Sequence, residues 1–284
     1  MANIFDRQGE TAWCPGCGNF GLRKIMLEAL AELDIGQSDV IFVSGIGQAA
    51  KAPQYYNGSF FNGLHGRSLP AATGIKAANP GIKVIVESGD GDMYGEGGNH
   101  FIHAIRRNPD ITVIVHNNMV YGLTKGQASP TSQEGMVTPI QTGGVFEEPL
   151  NPVALAITMD APFVARGSAG EPLKTKEIIK QAIMHKGFSL VDVFQACVSF
   201  NKINTHKWFK DNTYMLPEDH DPGDRQAALK KSMEPGPMGL GVFYINDKRG
   251  VFEERLSPYE NRRDPLHAVS REFGTVQKIL AGKI

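Results

Sequence analysis

Apolar runs long enough to cross a bilayer are missing from this sequence: nothing in it approaches the ~18 apolar residues that a membrane span needs. The opening stretch, MANIFDRQGETAW, has no apolar core of the kind a secretion signal carries. Charge of one sign is missing too. With 29 Lys and Arg against 30 Asp and Glu, no excess draws the chain to a nucleic acid or an anionic lipid surface. Cysteine is scarce, three in all, which excludes a disulfide framework. Two of the three form a tight pair, and in a reducing compartment such a pair suggests metal or redox work. Internal repeats and low-complexity tracts are absent. These absences lead us to expect a cytoplasmic protein with neither a nucleic-acid nor a membrane partner.

What is present is a large apolar fraction, 41% of the 284 residues, enough to bury a sizeable core. Short runs rich in Val, Ile and Phe end in glycine or polar residues: VIFVSGIG (40–47), KVIVESGDGD (83–92), ITVIVHNN (111–118), PFVARG (162–167) and SLVDVFQA (189–196). They read as strands covered on both faces. Between them lie segments with helical spacing, at 20–33, 69–79, 97–107, 153–160 and 174–186. The alternation predicts an α/β fold with a doubly wound, mainly parallel sheet, where ligands collect beyond the carboxyl ends of the strands. Gly45-Ile46-Gly47, Gly89-Asp90-Gly91-Asp92 and Asn117-Asn118 all fall there. Residues 1–200 form this unit. Residues 201–284, with weak periodicity and scattered prolines, read as an extended C-terminal arm ordered against a partner subunit.

The strongest chemical signal runs from Ser88 to Gly122. A strand ends at Ser88, Gly89 turns the chain and Asp90 is presented at the sheet edge. A helix crosses over, and the next strand delivers Asn117-Asn118 to the same edge. Mg²⁺ wants about six oxygen ligands, typically one or two carboxylates plus phosphate oxygens. Asp90, the side-chain oxygen of Asn118 and the main-chain carbonyl of Val120 are candidates for three of them. The glycines at 89, 91, 95, 97 and 98 let backbone N–H groups approach phosphates at a helix start. Asp92 is expected to orient those amides, one acidic ligand already serving the metal. GDG followed by NN resembles the thiamine-diphosphate signature in both spacing and context. Asp-Gly alone is a common turn, and Asp90 with Asp92 also suits a sugar-nucleotide site, but neither alternative accounts for Asn117-Asn118.

Cys14-Pro15-Gly16-Cys17 looks at first like a thioredoxin motif, yet no strand precedes it. Metal ligation suits it better, with Cys197 arriving from the end of the strand at 189–196. Taken together, WCPGCG, SGIG (44–47), LHGRSLPAATGIK (64–76), GDGD (89–92) and NNMVYGLTKGQASPTS (117–132) resemble the β subunit of 2-oxoacid:ferredoxin oxidoreductases over about residues 11–200. The resemblance implies thiamine diphosphate, Mg²⁺ and an iron–sulfur cluster, in many members a [4Fe–4S] cluster on four cysteines. Cys14, Cys17 and Cys197 match three of them, while Gln48 stands where the fourth is found. Gln48 itself, water, His65 or a partner residue are candidates for the last ligand, and a [3Fe–4S] cluster or a three-cysteine zinc site stays open.

The same resemblance carries further roles. Gly45, Ile46, Gly47, His65, Arg67, Gly122 and Leu123 join the cofactor-binding set, Leu123 as the apolar prop of the thiazolium. Lys125 is placed to meet a substrate carboxylate, His65 to assist at the diphosphate or substrate, and Lys51 is a weaker substrate candidate. Packing explains His100 and His103 better than a metal does. The implied reaction is oxidative decarboxylation of a 2-oxoacid, 2-oxoglutarate by the look of the YGLTKGQASPTS loop. Electrons would pass singly to the cluster and on to ferredoxin, with coenzyme A taking the acyl group; the reverse, CO₂-fixing direction is also open. An α subunit should supply the pyrimidine-binding domain and an activating glutamate, in an α2β2 or larger assembly. The rivals are a non-oxidative thiamine enzyme, which has no use for the cysteines, and a thioredoxin-like or zinc-binding interaction module.

Overall fold

The computed structural model describes residues 3–270 and 272–282. Five strands stand where the sequence expects them: β1 (Val40–Ser44), β3 (Lys83–Gly89), β4 (Thr112–Asn117), β5 (Phe163–Ser168) and β6 (Ser189–Phe194). With β2 (Ser59–Asn62), β7 (Thr213–Met215) and β8 (Met238–Ile245) they form one sheet in the order β2-β1-β3-β4-β6-β5-β8-β7. Every pairing is parallel except β5 with β8, which run antiparallel with a register shift between Val164 and Ala165. Residues in β4, β5 and β6 are buried throughout, which is why these strands are continuous apolar runs.

Alternate side chains feed two cores. Phe42, Ile85, Ile114 and Val191 point to the layer of α1 (Gly18–Glu32) and α5 (Pro172–Met184). Val43, Val84, Val86, Val113, Val115 and Leu190 point the other way, toward α2 (Ser68–Ala78), α3 (Gly98–Arg107), α4 (Pro152–Thr158) and α7 (Arg225–Ser232). The strand period of two thus splits the apolar residues between helical layers, each buried Val, Leu or Ile contributing about 1.5–3 kcal/mol. Local signals set the helix starts. Asn151 and Asp224 cap α4 and α7 by accepting from Ala154 and from Gln226 and Ala227, and Pro152 opens α4.

The chain beyond residue 200 has two characters. Its first part, α6 (His206–Asp211), β7, α7 and β8, packs on the sheet and buries Phe209, Leu240 and Phe243. From Asn246 it runs over the surface in short 3₁₀ turns, anchored by Val251 and by Tyr259, whose hydroxyl donates to the Ala77 carbonyl at 2.6 Å. From Glu260 on, no described residue is buried, and α8 (Phe273–Ala281) exposes Phe273, Ile279 and Leu280. Among the described residues no helix is long and apolar enough to cross a membrane.

The strand order reverses between β1 and β3: β2 lies outside β1, whereas β4 lies on the far side of β3. A crevice opens at such a switch point, outside the strands' carboxyl ends.

Candidate active site

At the mouth of that crevice Asp90 follows β3 and is 1% exposed. The hydroxyls of Ser129 and Thr131 both donate to its Oδ2, at 2.5 and 2.7 Å. Burial pushes the Asp90 carboxyl up to about 6, against the pull of these hydroxyls and of the Asn118 amide. A buried carboxylate held like this lacks a counter-charge, which a bound cation would supply. Opposite it, the chain after β4 makes two side-chain turns. Asn117 Oδ1 accepts from Met119 N at 3.2 Å, and Asn118 Oδ1 accepts from Val120 N at 3.1 Å. They hold Met119 at a left-handed φ of 57° and bring Asn118 and Val120 to the same cavity as Asp90. Asn117 itself turns inward and donates to Asp192.

Beyond Asp90 the chain winds a π-helical turn, Gly91–Glu96, a rare form frequently found at functional sites. Its Asp92 is a tie between loops. Asp92 Oδ1 accepts from Ile46 N at 2.9 Å, Gly66 N at 2.8 Å and His65 Nδ1 at 2.6 Å, while Ser88 Oγ donates to Oδ2. The loop after β1 and the loop before α2 are thereby fixed to the β3 turn, with Asp92 as orienter. The close approach demands glycine at 45, where a Cβ would come within 2.0 Å of Asp92 Oδ2. Gly91 lies under the ring of Tyr121, which a Cβ would meet at 2.2 Å.

Ile46, Gly47, His65, Gly89, Asp90, Gly91, Asp92, Asn118, Val120, Gly122 and Leu123 all line one cavity of about 80 Å³. The cavity is open to solvent on one side. Exposed Ile46 and Leu123 rim this region. Other expected residues stand outside it. Gly45 acts from behind, through Asp92. Arg67 donates to His100, whose ring pairs in this way rather than with His103. Lys51 lies in a 3₁₀ turn, Ala49–Tyr55. Lys125, exposed at a φ of 74°, crowns the turn in which its N–H donates to the Gly122 carbonyl. Sequence reading missed Tyr121, whose hydroxyl donates to Glu96 at 3.0 Å, and the Ser129–Thr131 pair. Serine and threonine are too common for their identity alone to mark a role. A cavity of about 550 Å³ also opens beside α6 and the ends of β5 and β6, but it holds neither Asp90 nor a glycine cradle.

The three thiols meet on a second cavity. Cys14, Cys17 and Cys197 line it with Trp13, Asn19, Gln48, Asn118 and Gly122. Cys17 caps the start of α1, and burial, with the other two sulfurs nearby, pushes its thiol up to about 11. All three are free thiols. Among the described residues no three His, Cys, Asp or Glu side chains group as a site for a single metal ion. The space between them is small, about 20 Å³. Two buried polar atoms of its lining residues lack partners, Gln48 Oε1 and Asn19 Nδ2, as expected where a polar group belongs. By donor type and placement the residues fit an iron–sulfur cluster.

Behind α1 the sheet supplies an anchor that sequence reading also missed. Fully buried Glu87 and His116 pair at 3.0 Å, and His116 Nδ1 contacts Asn19 Oδ1 at 2.9 Å. Gln48, Asn118 and Gly122 face both cavities. A Cβ on Gly122 would stand 3.4 Å from Cys197 Sγ. The two sites thus share a wall one residue thick.

A doubly wound sheet with a glycine-lined Asp–Asn crevice at its switch point defines a thiamine-diphosphate-binding domain. Residues 34–193 match the family described as thiamine pyrophosphate enzyme, C-terminal TPP binding domain, and residues 197–261 match the C-terminal family of the pyruvate ferredoxin oxidoreductase beta subunit. The chain is 44% identical over 280 residues to subunit beta of 2-oxoacid:ferredoxin oxidoreductase 1 of Aeropyrum pernix, covering 93% of this chain and 88% of that one. To the 2-oxoglutarate synthase subunit KorB of Methanocaldococcus jannaschii it is 37% identical, covering 85% and 90%. It superimposes with a TM-score of 0.91 on 2-oxoglutarate:ferredoxin oxidoreductase from Magnetococcus marinus, solved with 2-oxoglutarate, coenzyme A and succinyl-CoA bound, at 36% identity over 98% of this chain and 94% of that one. The chain belongs to the β-subunit family of the 2-oxoacid:ferredoxin oxidoreductases, and such a subunit implies an α partner.

Proposed function

We propose that this chain holds Mg²⁺–thiamine diphosphate in the first cavity and an iron–sulfur cluster in the second. In that reading it serves the oxidative decarboxylation of 2-oxoglutarate to succinyl-CoA and CO₂, with electrons leaving to ferredoxin, or the reverse reaction. The observation that carries the reading is the shared wall: a decarboxylation site and a one-electron site are useful to each other when little separates them. Thiamine diphosphate supplies the carbon nucleophile and electron sink that let a 2-oxoacid lose CO₂. Asp90, Asn118 Oδ1 and the Val120 carbonyl would hold the metal, and backbone amides at Gly47 and Gly91 would face phosphate oxygens. Asp92 and His65 fix the two loops, and Leu123 offers its side chain to the ring system. The carboxylate that activates the aminopyrimidine would belong to the partner subunit. A non-oxidative thiamine enzyme would leave the three thiols without a task.

Lys125 is the candidate for a substrate carboxylate, since its turn follows the metal-binding segment and its side chain is exposed toward whatever covers the site. Losing one charge-assisted contact costs ~1.5–3 kcal/mol, roughly ten- to a hundred-fold in specificity. Lys125→Met in the assembled enzyme should therefore lower kcat/KM for 2-oxoglutarate by about that factor and for pyruvate by less, pyruvate having no distal carboxylate. Equal losses would reassign Lys125 to the carboxylate both acids share; no loss would remove it from the substrate site. Iron and acid-labile sulfide in anaerobically purified protein test the cluster itself, and zinc or no metal would refute it.

A further inference from the structure

Gln48 sits where the two cavities meet. Its Oε1 is shielded from solvent and has no hydrogen-bond partner, although a buried carbonyl oxygen is costly to leave unpaired. Its backbone is fixed: the Trp13 indole N–H donates to the Gln48 carbonyl at 2.7 Å, and Trp13 is held edge-on by Phe20 and Tyr55. Because Trp13 precedes Cys14, this clamp joins Gln48 to the cysteine pair. The other orphan of the cavity, Asn19 Nδ2, is a donor and suits sulfur, not iron; its Oδ1 is already taken by His116. The sequence has three cysteines, all of them already on this cavity.

We propose that Gln48 Oε1 is the fourth ligand of the cluster, giving a three-thiolate, one-amide site whose iron at the Gln48 corner is exchangeable. This rests on the cluster reading above. An amide oxygen is a harder and weaker donor to iron than a thiolate, and it is neutral. The cluster therefore carries one negative charge fewer from its ligands, which favours the reduced state, and one iron is held mainly by its sulfides. On oxidation a [4Fe–4S]²⁺ cluster would give one electron to the added oxidant and one Fe²⁺ to solution, leaving [3Fe–4S]⁺. The remaining three corners are thiolates and stay closed.

The test uses the complex of this chain with its partner subunit, purified without oxygen, titrated with ferricyanide and followed by iron analysis and EPR. The wild type should lose one iron per cluster and gain the [3Fe–4S]⁺ signal, and Fe²⁺ with a reductant should reverse the change. Gln48→Cys should keep all its iron under the same treatment. A wild-type cluster as inert as the Gln48→Cys one, or a Gln48→Cys cluster as labile as the wild type, overturns the assignment. Protein without iron overturns the cluster reading instead, so the two failures are distinct.

Discussion

Asp90 shows how much a single side chain can be set against its own fold. Burial holds its carboxyl near 6, above the ordinary 3.8, so ionisation opposes folding. With respect to this group the metal-free chain is most stable below pH 3.8 and loses that stability as pH rises through about 6. We expect Asp90→Asn to stabilise the metal-free chain at pH 7 by roughly 1–3 kcal/mol while abolishing Mg²⁺–thiamine diphosphate binding in the complex. Urea unfolding and calorimetric titration measure the two halves; a variant that binds the cofactor normally would dismiss Asp90 as ligand. Because the metal needs the ionised form, affinity in the wild-type complex should fall about tenfold per pH unit below about 6. A flat profile down to pH 5 would contradict the burial argument.

Among elements, α1 is tied to the sheet through its first turn. Its first turn carries Asn19, and Asn19 is held through His116 by Glu87, two groups buried in the sheet. His116→Ala would strand a buried carboxylate with the Tyr56 hydroxyl at 3.2 Å as its remaining side-chain partner. Breaking a buried pair costs about 3–5 kcal/mol, and loosening the turn after Cys17 should lower iron content as well. Unfolding curves and iron analysis check both; Glu87→Gln, which keeps an oxygen for His116, should lose less. Elements were also the scale at which the sequence was most readable. Strand–helix alternation marked five strands and their crossovers because central strands buried on both faces leave unbroken apolar runs. β2 and β7 are too short to show a period, and β8, GLGVFYI interrupted by glycines and paired antiparallel to β5 across a register shift, carries no clean alternation. Of the site, Asp90 and Asn118 were legible through turn glycines at a strand end. Ser129, Thr131, Glu87 and His116 were not, since their partners lie 39 and 41 residues away for Asp90 and 29 apart for the pair.

At the scale of the whole molecule, the C-terminal tail stands apart from the core. The segment after Tyr259 buries nothing that is described, yet α8 shows three large apolar side chains to solvent. Deleting residues 265–284 should shift the Tm of the isolated chain by less than about 2 °C, the shift expected from well under 1 kcal/mol in a domain of this size. The same deletion should reduce the fraction that co-elutes with the α subunit. A large drop in Tm would instead make the tail part of the chain's own core.

The wall of Gln48, Asn118 and Gly122 also constrains how this protein can vary. Each residue answers to two environments at once: a substitution that suits the thiols must still admit a phosphate, and the converse. Changes on opposite sides of the wall should then fail to add, with coupling of about 0.5–3 kcal/mol between positions that never touch each other. Lineages would have to move such positions in pairs, so the wall should drift more slowly than the depth of its burial alone would suggest.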